Sequence, residues 1–266
     1  MITDEQVQHF QTFGFVVLRE VLTPQEIEAV HREFELGLEE FKSTQRGGGA
    51  RNQLNWSNVR PDMPFITGLL EDDRFVERAE RLLGQNAIGF DSVSSHFAGD
   101  HSPWHPDTEL KHLIGFKFGF YLQPIDGESG ALRVLPGSHK SPYYDNLFDI
   151  LWPNGDSSGR NVDVRDAPAF VCVSNPGDAV VFNYQVWHGT WGGSTDRRMV
   201  AMQFQKCPET AEEEAAVRSH VAGHRTMMEE FGWEASHHPE WVANPGGSKR
   251  RQRWITKLRE MGYIDN

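Results

Sequence analysis

Apolar residues recur at three- and four-residue intervals along one early stretch: Ile27, Val30, Phe34, Leu38 and Phe41. That period belongs to a helix with one face on a core. Thr23 is placed to cap it, Pro24 suits its first turn, and Glu26 completes a capping box. Thr3 with Gln6 predicts a shorter first helix by the same device. Between them, "FGFVVLREVL" (13–22) reads as a buried strand. "EDDRFVERAERLLG" (71–84) predicts a further amphipathic helix, stopped by Gly84. From about residue 86 the period shortens. "NAIGFDSVSSHFA", "HLIGFKFGFYLQP", "GALRVL", "FVCV", "DAVVFNYQVW" and "RRMVAMQFQ" are short, β-rich and partly alternating. The turn signals "DGESG", "LPGSH" and "NPGD" separate them. Many short strands in one region predict a barrel or double-sheet sandwich. Residues 210–266 turn helical and charged again, either packing on the sandwich or forming an oligomer contact. The expected division is one domain with a helical part over 1–85, a strand-rich core over 86–206 and a helical segment over 207–266.

Composition narrows the partners more than the fold. The 266 residues suffice for a sizeable core. A formal net charge of −12 argues against nucleic acid and against anionic membranes. Cys172 and Cys207 form no CxxC pair, so reduced thiols are expected rather than a zinc–thiolate site. "MITDEQVQHF" lacks a signal-peptide pattern and no apolar run has the length of a membrane span, so the expected location is cytoplasmic. "QRGGGARNQ" (45–53) lacks the Lys-Ser/Thr of a phosphate-binding loop. Arg46, Arg51 and Arg60 flank it, facing either solvent or an anionic substrate group. Oligomeric state is not legible.

The chemistry concentrates in "SPWHPDTELKHL". Pro106 holds the chain extended, and residues i and i+2 of an extended segment share a side, so His105 and Asp107 converge. His188, in "NYQVWHGTW", ends a late strand. Two histidines and one carboxylate form the facial triad of non-haem Fe(II) oxygenases, which leaves positions open for reactants. Arg197 and Arg198 follow on the next strand, and a guanidinium can fork the far carboxylate of 2-oxoglutarate. "HHPE" offers a second pair, His238 and Glu240, but without strand context it reads as surface. His96, His101 and His112 are expected beside the site or in solvent. Trp104 and Trp187 each precede a ligand and should point away from it, into packing.

On these residues the chain resembles the phytanoyl-CoA dioxygenase family of Fe(II)/2-oxoglutarate oxygenases. The likeness runs from "FQTFGFVVLREVLTPQEIEAV" through "WHPDTE" to "HGTWGGSTDRRMVAMQF". Its most specific pieces are "GESGALRVLPGSHK" (127–140) and "NPGDAVVFNYQVWHGT". The resemblance implies a mainly β fold with flanking helices, a double-stranded β-helix of the jelly-roll, cupin-like kind. It implies iron ligands His105, Asp107 and His188, with Arg197 or Arg198 as the 2-oxoglutarate anchor. In related sequences an aromatic follows that arginine by seven positions, and Phe204 then selects Arg197. Relatives usually carry a slightly longer loop where this chain has "TWGGSTD". Ser138 and His139 of the PGSH turn are expected to shape a loop at the barrel mouth.

The expected activity is hydroxylation of an unactivated C–H bond of a small molecule. Fe(II), 2-oxoglutarate and O2 take part, and succinate and CO2 are released. Asp107 favours hydroxylation over halogenation, because a halide needs the position the carboxylate fills. Desaturation, epoxidation and ring formation use the same centre. Two other readings are a non-catalytic jelly-roll binding or sensor protein, and a zinc hydrolase on the same three ligands.

Overall fold

The computed structural model describes residues 1–44, 53–99, 101–154, 162–193, 196–231 and 236–265. The chain begins with α1 (Asp4–Phe13), β1 (Phe15–Leu18), α2 (Pro24–Thr44) and β2 (Gln53–Ser57). It continues with α3 (Pro64–Leu69), α4 (Asp73–Leu83), β3 (Ala87–Phe97), β4 (Gly115–Tyr121), β5 (Ser129–Val134) and α5 (Tyr143–Leu151). Then come β6 (Phe170–Val171), β7 (Ala179–Asn183), β8 (His188–Gly192), β9 (Arg197–Lys206), α6 (Ala211–Phe231), α7 (Pro239–Ala243) and α8 (Lys249–Met261).

Local chemistry sets the helix ends as expected. The Thr3 hydroxyl accepts from Gln6 N–H, and Gln6 Oε1 accepts from Thr3 N–H. Thr23 and Glu26 repeat the exchange at α2. Val30, Phe34 and Leu38 are buried, with Ile27 and Phe41 packed beside them. The strand expected over 13–22 is shorter. Phe13 still belongs to α1, and β1 ends at Leu18 because Arg19 and Glu20 turn onto Asp178. "FVCV" contributes two strand residues.

The strands form two antiparallel sheets. The larger has the order β1-β7-β4-β9-β3-β2 and the smaller β6-β5-β8. This is the double-stranded β-helix, mainly β with flanking helices. β1 and β2 come from the first 85 residues, so that stretch is not helical alone: it supplies both edges of the large sheet. Alternation along two central strands separates the faces. Phe116, Phe118 and Phe120 of β4, with Val200, Met202 and Phe204 of β9, join Phe75 and Trp254 in a helix-backed core. Each such side chain contributes roughly 1.5–3 kcal/mol by burial. Lys117, Tyr121, Arg197, Met199, Ala201 and Gln203 face the other way and line a cavity between the sheets.

The C-terminal segment packs on the sandwich. Trp254 of α8 lies so close to Gly89 that a Cβ there would fall 2.7 Å from the indole. Met227 of α6 reaches the cavity. Cys172 and Cys207 are free and buried. Among the described residues no helix is long and apolar enough to cross a membrane.

Candidate metal centre

Main-chain pairing brings the centre together. His105 N–H donates to His188 O at 2.9 Å, and His188 N–H donates to His105 O at 3.0 Å. An antiparallel pair that exchanges both bonds puts both side chains on one face. The two imidazole centroids are 4.3 Å apart. Asp107 N–H donates to Tyr184 O at 2.8 Å, which continues the extended run and returns its side chain to the same side. One ligand atom from each of His105, Asp107 and His188 lies within 4.8 Å of the others, the only such three-residue group among the described residues.

The hydrogen bonds decide which ring nitrogens are free. His105 Nδ1 lies 2.7 Å from Pro103 O, and His188 Nδ1 lies 2.9 Å from Val186 O. A carbonyl only accepts, so each Nδ1 carries the proton and each Nε2 keeps its lone pair. Burial, with His188 alongside, pushes the His105 imidazole down to about 3. Burial lowers His188 too. Both rings therefore stay neutral near pH 7, the state that binds metal. Burial alone would raise the Asp107 carboxyl. Lys117 and the two imidazoles outweigh it and hold the group below its usual range. Asp107 Oδ2 is buried and accepts no hydrogen bond, so the carboxylate carries capacity the protein leaves unused. Two neutral nitrogens, one carboxylate and a spare buried lone pair fit a divalent ion such as Fe(II).

Strand register separates the two arginines. Arg197 is 2% exposed and lines the same cavity as the triad. Its Nη1 donates to Gly130 O at 3.0 Å, and its Cζ lies 4.2 Å from the centroid of the Phe97 ring. Gly130 has φ +97, and a Cβ there would fall 2.4 Å from Arg197 Nη1. The glycine in "GESGAL" thus makes room for the guanidinium. Arg198 points out, where it forks Asp196 and pairs with Glu35.

The remaining histidines and tryptophans divide as expected, with one change. Trp104 and Trp187 are buried in a separate cluster under α5, away from the ligands. His238 and Glu240 are exposed, and His112 is too. His96 is buried against Asp196. His101 lies at the cavity wall. The PGSH turn does not line the cavity. Gly137 N–H donates to Phe13 O, and the ring of His139 sits against Gly14. Ser138 Oγ accepts from Trp187 N–H at 2.8 Å and so steadies the turn before His188, which opens β8 rather than ending a strand. Arg60 is committed to Asp62 and Glu40. Arg46 and Arg51 lie outside the described residues.

Among the cavity residues, sequence reasoning missed Lys117, Tyr121 and Met227. "GFKFGFY" carried a signal for two of them. A lysine and a tyrosine alternating with three phenylalanines mark the face opposite the aromatic core. The Tyr121 phenol is pushed up to about 12 by burial, against an opposing pull from Arg197. Met227 left no signal, since only the packing of α6 brings it in. The cavity measures about 330 Å³.

Comparison with known proteins agrees with this geometry. The profile of the phytanoyl-CoA dioxygenase (PhyH) family matches residues 10–200. Dioxygenase FrzG of Cladobotryum sp is 36% identical over 237 residues, covering 77% of this chain and 74% of that protein. An ectoine dioxygenase of Streptomyces anulatus is 21% identical over 155 residues, covering 53% of this chain and 52% of that protein. The chain thus spans about half the length of the ectoine dioxygenases it matches. Among solved structures, HygX from Streptomyces hygroscopicus with nickel and 2-oxoglutarate bound gives a TM-score of 0.62 at 19% identity, covering 80% of this chain and 94% of that one. EctD from S. alaskensis with 2-oxoglutarate and 5-hydroxyectoine gives 0.61 at 19% identity, covering 77% of each. Profile, relatives and fold converge with the residues themselves: the chain belongs to the phytanoyl-CoA dioxygenase family of Fe(II)- and 2-oxoglutarate-dependent oxygenases.

Proposed function

We propose that this protein is an Fe(II)- and 2-oxoglutarate-dependent dioxygenase that hydroxylates an unactivated C–H bond of a small molecule. One observation carries the reading: a triad with free ligand capacity and a buried guanidinium share one cavity of metabolite size. His105 and His188 would hold the ion through Nε2, and Asp107 through its carboxylate. Iron, bound with 2-oxoglutarate and O2, supplies the oxidation that releases succinate and CO2.

The protein's own residues do the rest. Pro103 O and Val186 O lock the two imidazoles in the ligating tautomer. Arg197 would take the far carboxylate of 2-oxoglutarate in a planar fork. Gly130 O and the Phe97 ring keep that guanidinium from swinging away. Met199 and Ala201 line the floor next to it along β9. On the side of β2 and β3, Asn55 and Ser95 line the wall, with Ser95 Oγ donating to Asn55 Oδ1 at 2.6 Å. Gln203 and Met227 complete it. Amides, a hydroxyl and thioethers suit a compact, polar but partly apolar metabolite. Asp107 fills the position a halide would need, which supports hydroxylation over halogenation.

The test is succinate formation from 2-oxoglutarate in air with Fe(II), run across a panel of small metabolites. Substrate-dependent succinate with a product heavier by one oxygen is the expected result. A product lighter by two hydrogens would replace hydroxylation with desaturation or ring closure. Ligand binding without succinate would turn the reading into a binding or sensor protein.

A further inference from the structure

Lys117 occupies an inward position on β4, paired with Gln203 of β9 and Phe182 of β7. Its chain neighbours Phe116 and Phe118 turn into the helix-backed core. The lysine alone among these three faces the cavity. An ammonium taken out of water needs an anion beside it. Lys117 has one: its Nζ lies 2.7 Å from Asp107 Oδ1. That distance is typical of a charge-assisted hydrogen bond.

The contact makes the two Asp107 oxygens unequal. Oδ1 accepts from Lys117, while Oδ2 is buried and accepts nothing. A carboxylate can bind a metal through one oxygen or chelate it through both. Chelation would set both oxygens on the ion, and Oδ1 would then be shared between two cations, the ion and the Lys117 ammonium, which the repulsion between them opposes. We propose that Lys117 is a positioning residue that holds Asp107 to ligation through a single oxygen. It thereby keeps open the coordination position a chelating cosubstrate needs. The inference rests on the iron reading above and adds to it a residue outside the ligand set. A protonated lysine has three donors and no lone pair, so it steers the carboxylate without competing for the ion.

The experiment measures binding without oxygen, in the full chain. Co(II) affinity reports the metal site by itself. Anaerobic affinities for 2-oxoglutarate and for succinate, with Fe(II) present, report the open position. Succinate has the far carboxylate but no keto group with which to chelate. Lys117→Met should bind Co(II) as tightly as the parent or tighter. Its 2-oxoglutarate affinity should fall at least about tenfold, the lower range for residues that orient a metal ligand. Succinate affinity should hold, and the visible charge-transfer band of the Fe(II)–2-oxoglutarate complex should weaken. Lys117→Arg, which keeps a cationic donor, should recover most of the 2-oxoglutarate affinity. Equal losses for 2-oxoglutarate and succinate would make Lys117 a direct contact to the cosubstrate and overturn the proposal. Parental 2-oxoglutarate affinity in Lys117→Met overturns it as well, as does loss of Co(II) binding in step with 2-oxoglutarate. A His188→Ala control separates the two levels. If that control keeps parental Co(II) binding, the iron reading fails, and this proposal with it.

Discussion

Among the described residues two clusters join histidine to aspartate in the interior, and only the first brings three ligand atoms within 4.8 Å of one another. The first is His105, Asp107 and His188. The second lies under α6, where His220, His224 and His237 surround Asp91. Asp91 is fully buried, His224 and His237 nearly so. Residue type alone does not tell the clusters apart. Hydrogen bonding does. In the second cluster His237 uses both nitrogens, one on Ser236 Oγ at 2.9 Å and one on Phe90 O at 2.8 Å. His220 Nδ1 is bound to the Tyr263 hydroxyl, which donates to Gln205. His224 Nε2 and Asp91 Oδ2 face each other at 3.7 Å with no third ligand atom joining them among the described residues. In the first cluster each Nδ1 is consumed by a main-chain carbonyl two residues away, so each Nε2 is left over. A metal site needs lone pairs that the fold has declined to use, converging on one point. In the second cluster His237 ties the segment before α7 to Phe90 of β3, and Tyr263 links His220 of α6 to Gln205 of β9.

The largest expected effect breaks the first cluster. His105→Ala or His188→Ala should lower divalent-metal affinity by at least about a hundredfold, beyond the range for residues that merely orient a ligand. Fe(II)-dependent succinate formation should vanish. Circular dichroism should show the parental fold. Calorimetry with Co(II) checks the first point, and near-parental affinity removes that histidine from the ligand set.

The next effect tests the guanidinium. Losing one side of a buried charged pair costs roughly 3–5 kcal/mol, two to four decades of affinity. Arg197→Met should weaken anaerobic 2-oxoglutarate binding by that factor. Arg198 is paired at the surface, where a salt bridge is worth about 0–1 kcal/mol, so Arg198→Met should change the affinity by less than about fivefold. The reverse ranking would hand the role to Arg198. Lysine at position 197 should rescue only in part, because it lacks the planar fork.

A smaller effect sharpens the contrast from the other side. Asp91→Ala should lower folding stability by about 1–3 kcal/mol, because the buried Ser92 N–H loses its acceptor. It should leave one Co(II) per chain at parental affinity. Urea denaturation and metal titration of the same sample read both quantities. Loss of metal binding at constant stability would show that the second cluster holds the ion.

The smallest effect concerns acid. Burial, with His224 nearby, pushes the His220 imidazole down to about 4. In the unfolded chain such a ring takes a proton near pH 6.5, or about that. Between those values the unfolded state binds more protons, so acid favours unfolding. The stability due to the neutral ring is complete above pH 6.5 and drains away as pH falls toward 4. His220→Gln should flatten that part of the metal-free protein's stability profile, read as urea midpoints from pH 7 to pH 4.5. An unchanged slope would assign the acid limb to other groups.

How much of this was legible in the chain follows from the range of each interaction. Helix starts at Thr3 and Thr23 are local, closed by groups three residues apart, and they could be read directly. So could the spacing of His105 and Asp107, and the alternation that puts Arg197 with Met199, Ala201 and Gln203, because strand geometry repeats every two residues. Non-local pairing was not legible. β2 has meaning only beside β3, and β8 only between β5 and the His105 segment. α5 needed the cluster of Trp104 and Trp187 to give its apolar face a partner. The PGSH turn could be recognised from its residues, but its place against Gly14 depends on where α1 comes to rest.

By itself, then, the sequence determined the inventory: which residues could bind a metal, which faces of helices and strands were apolar, and where turns had to fall. These depend on side-chain chemistry and on periods of two and 3.6 residues. Only the tertiary structure decided which lone pairs stayed free. The Nε2 of His105 and of His188 stays free to ligate because Pro103 O or Val186 O takes the other nitrogen. Asp107 faces a lysine because β4 runs beneath it. Met227 meets the cavity because α6, a helix of 21 residues, runs back over the sandwich. The histidine–carbonyl bonds are local, but the pairing of His105 with His188, the approach of Lys117 and the return of α6 join groups that lie farther apart in the chain, and packing of the two sheets and their helices is what selects them.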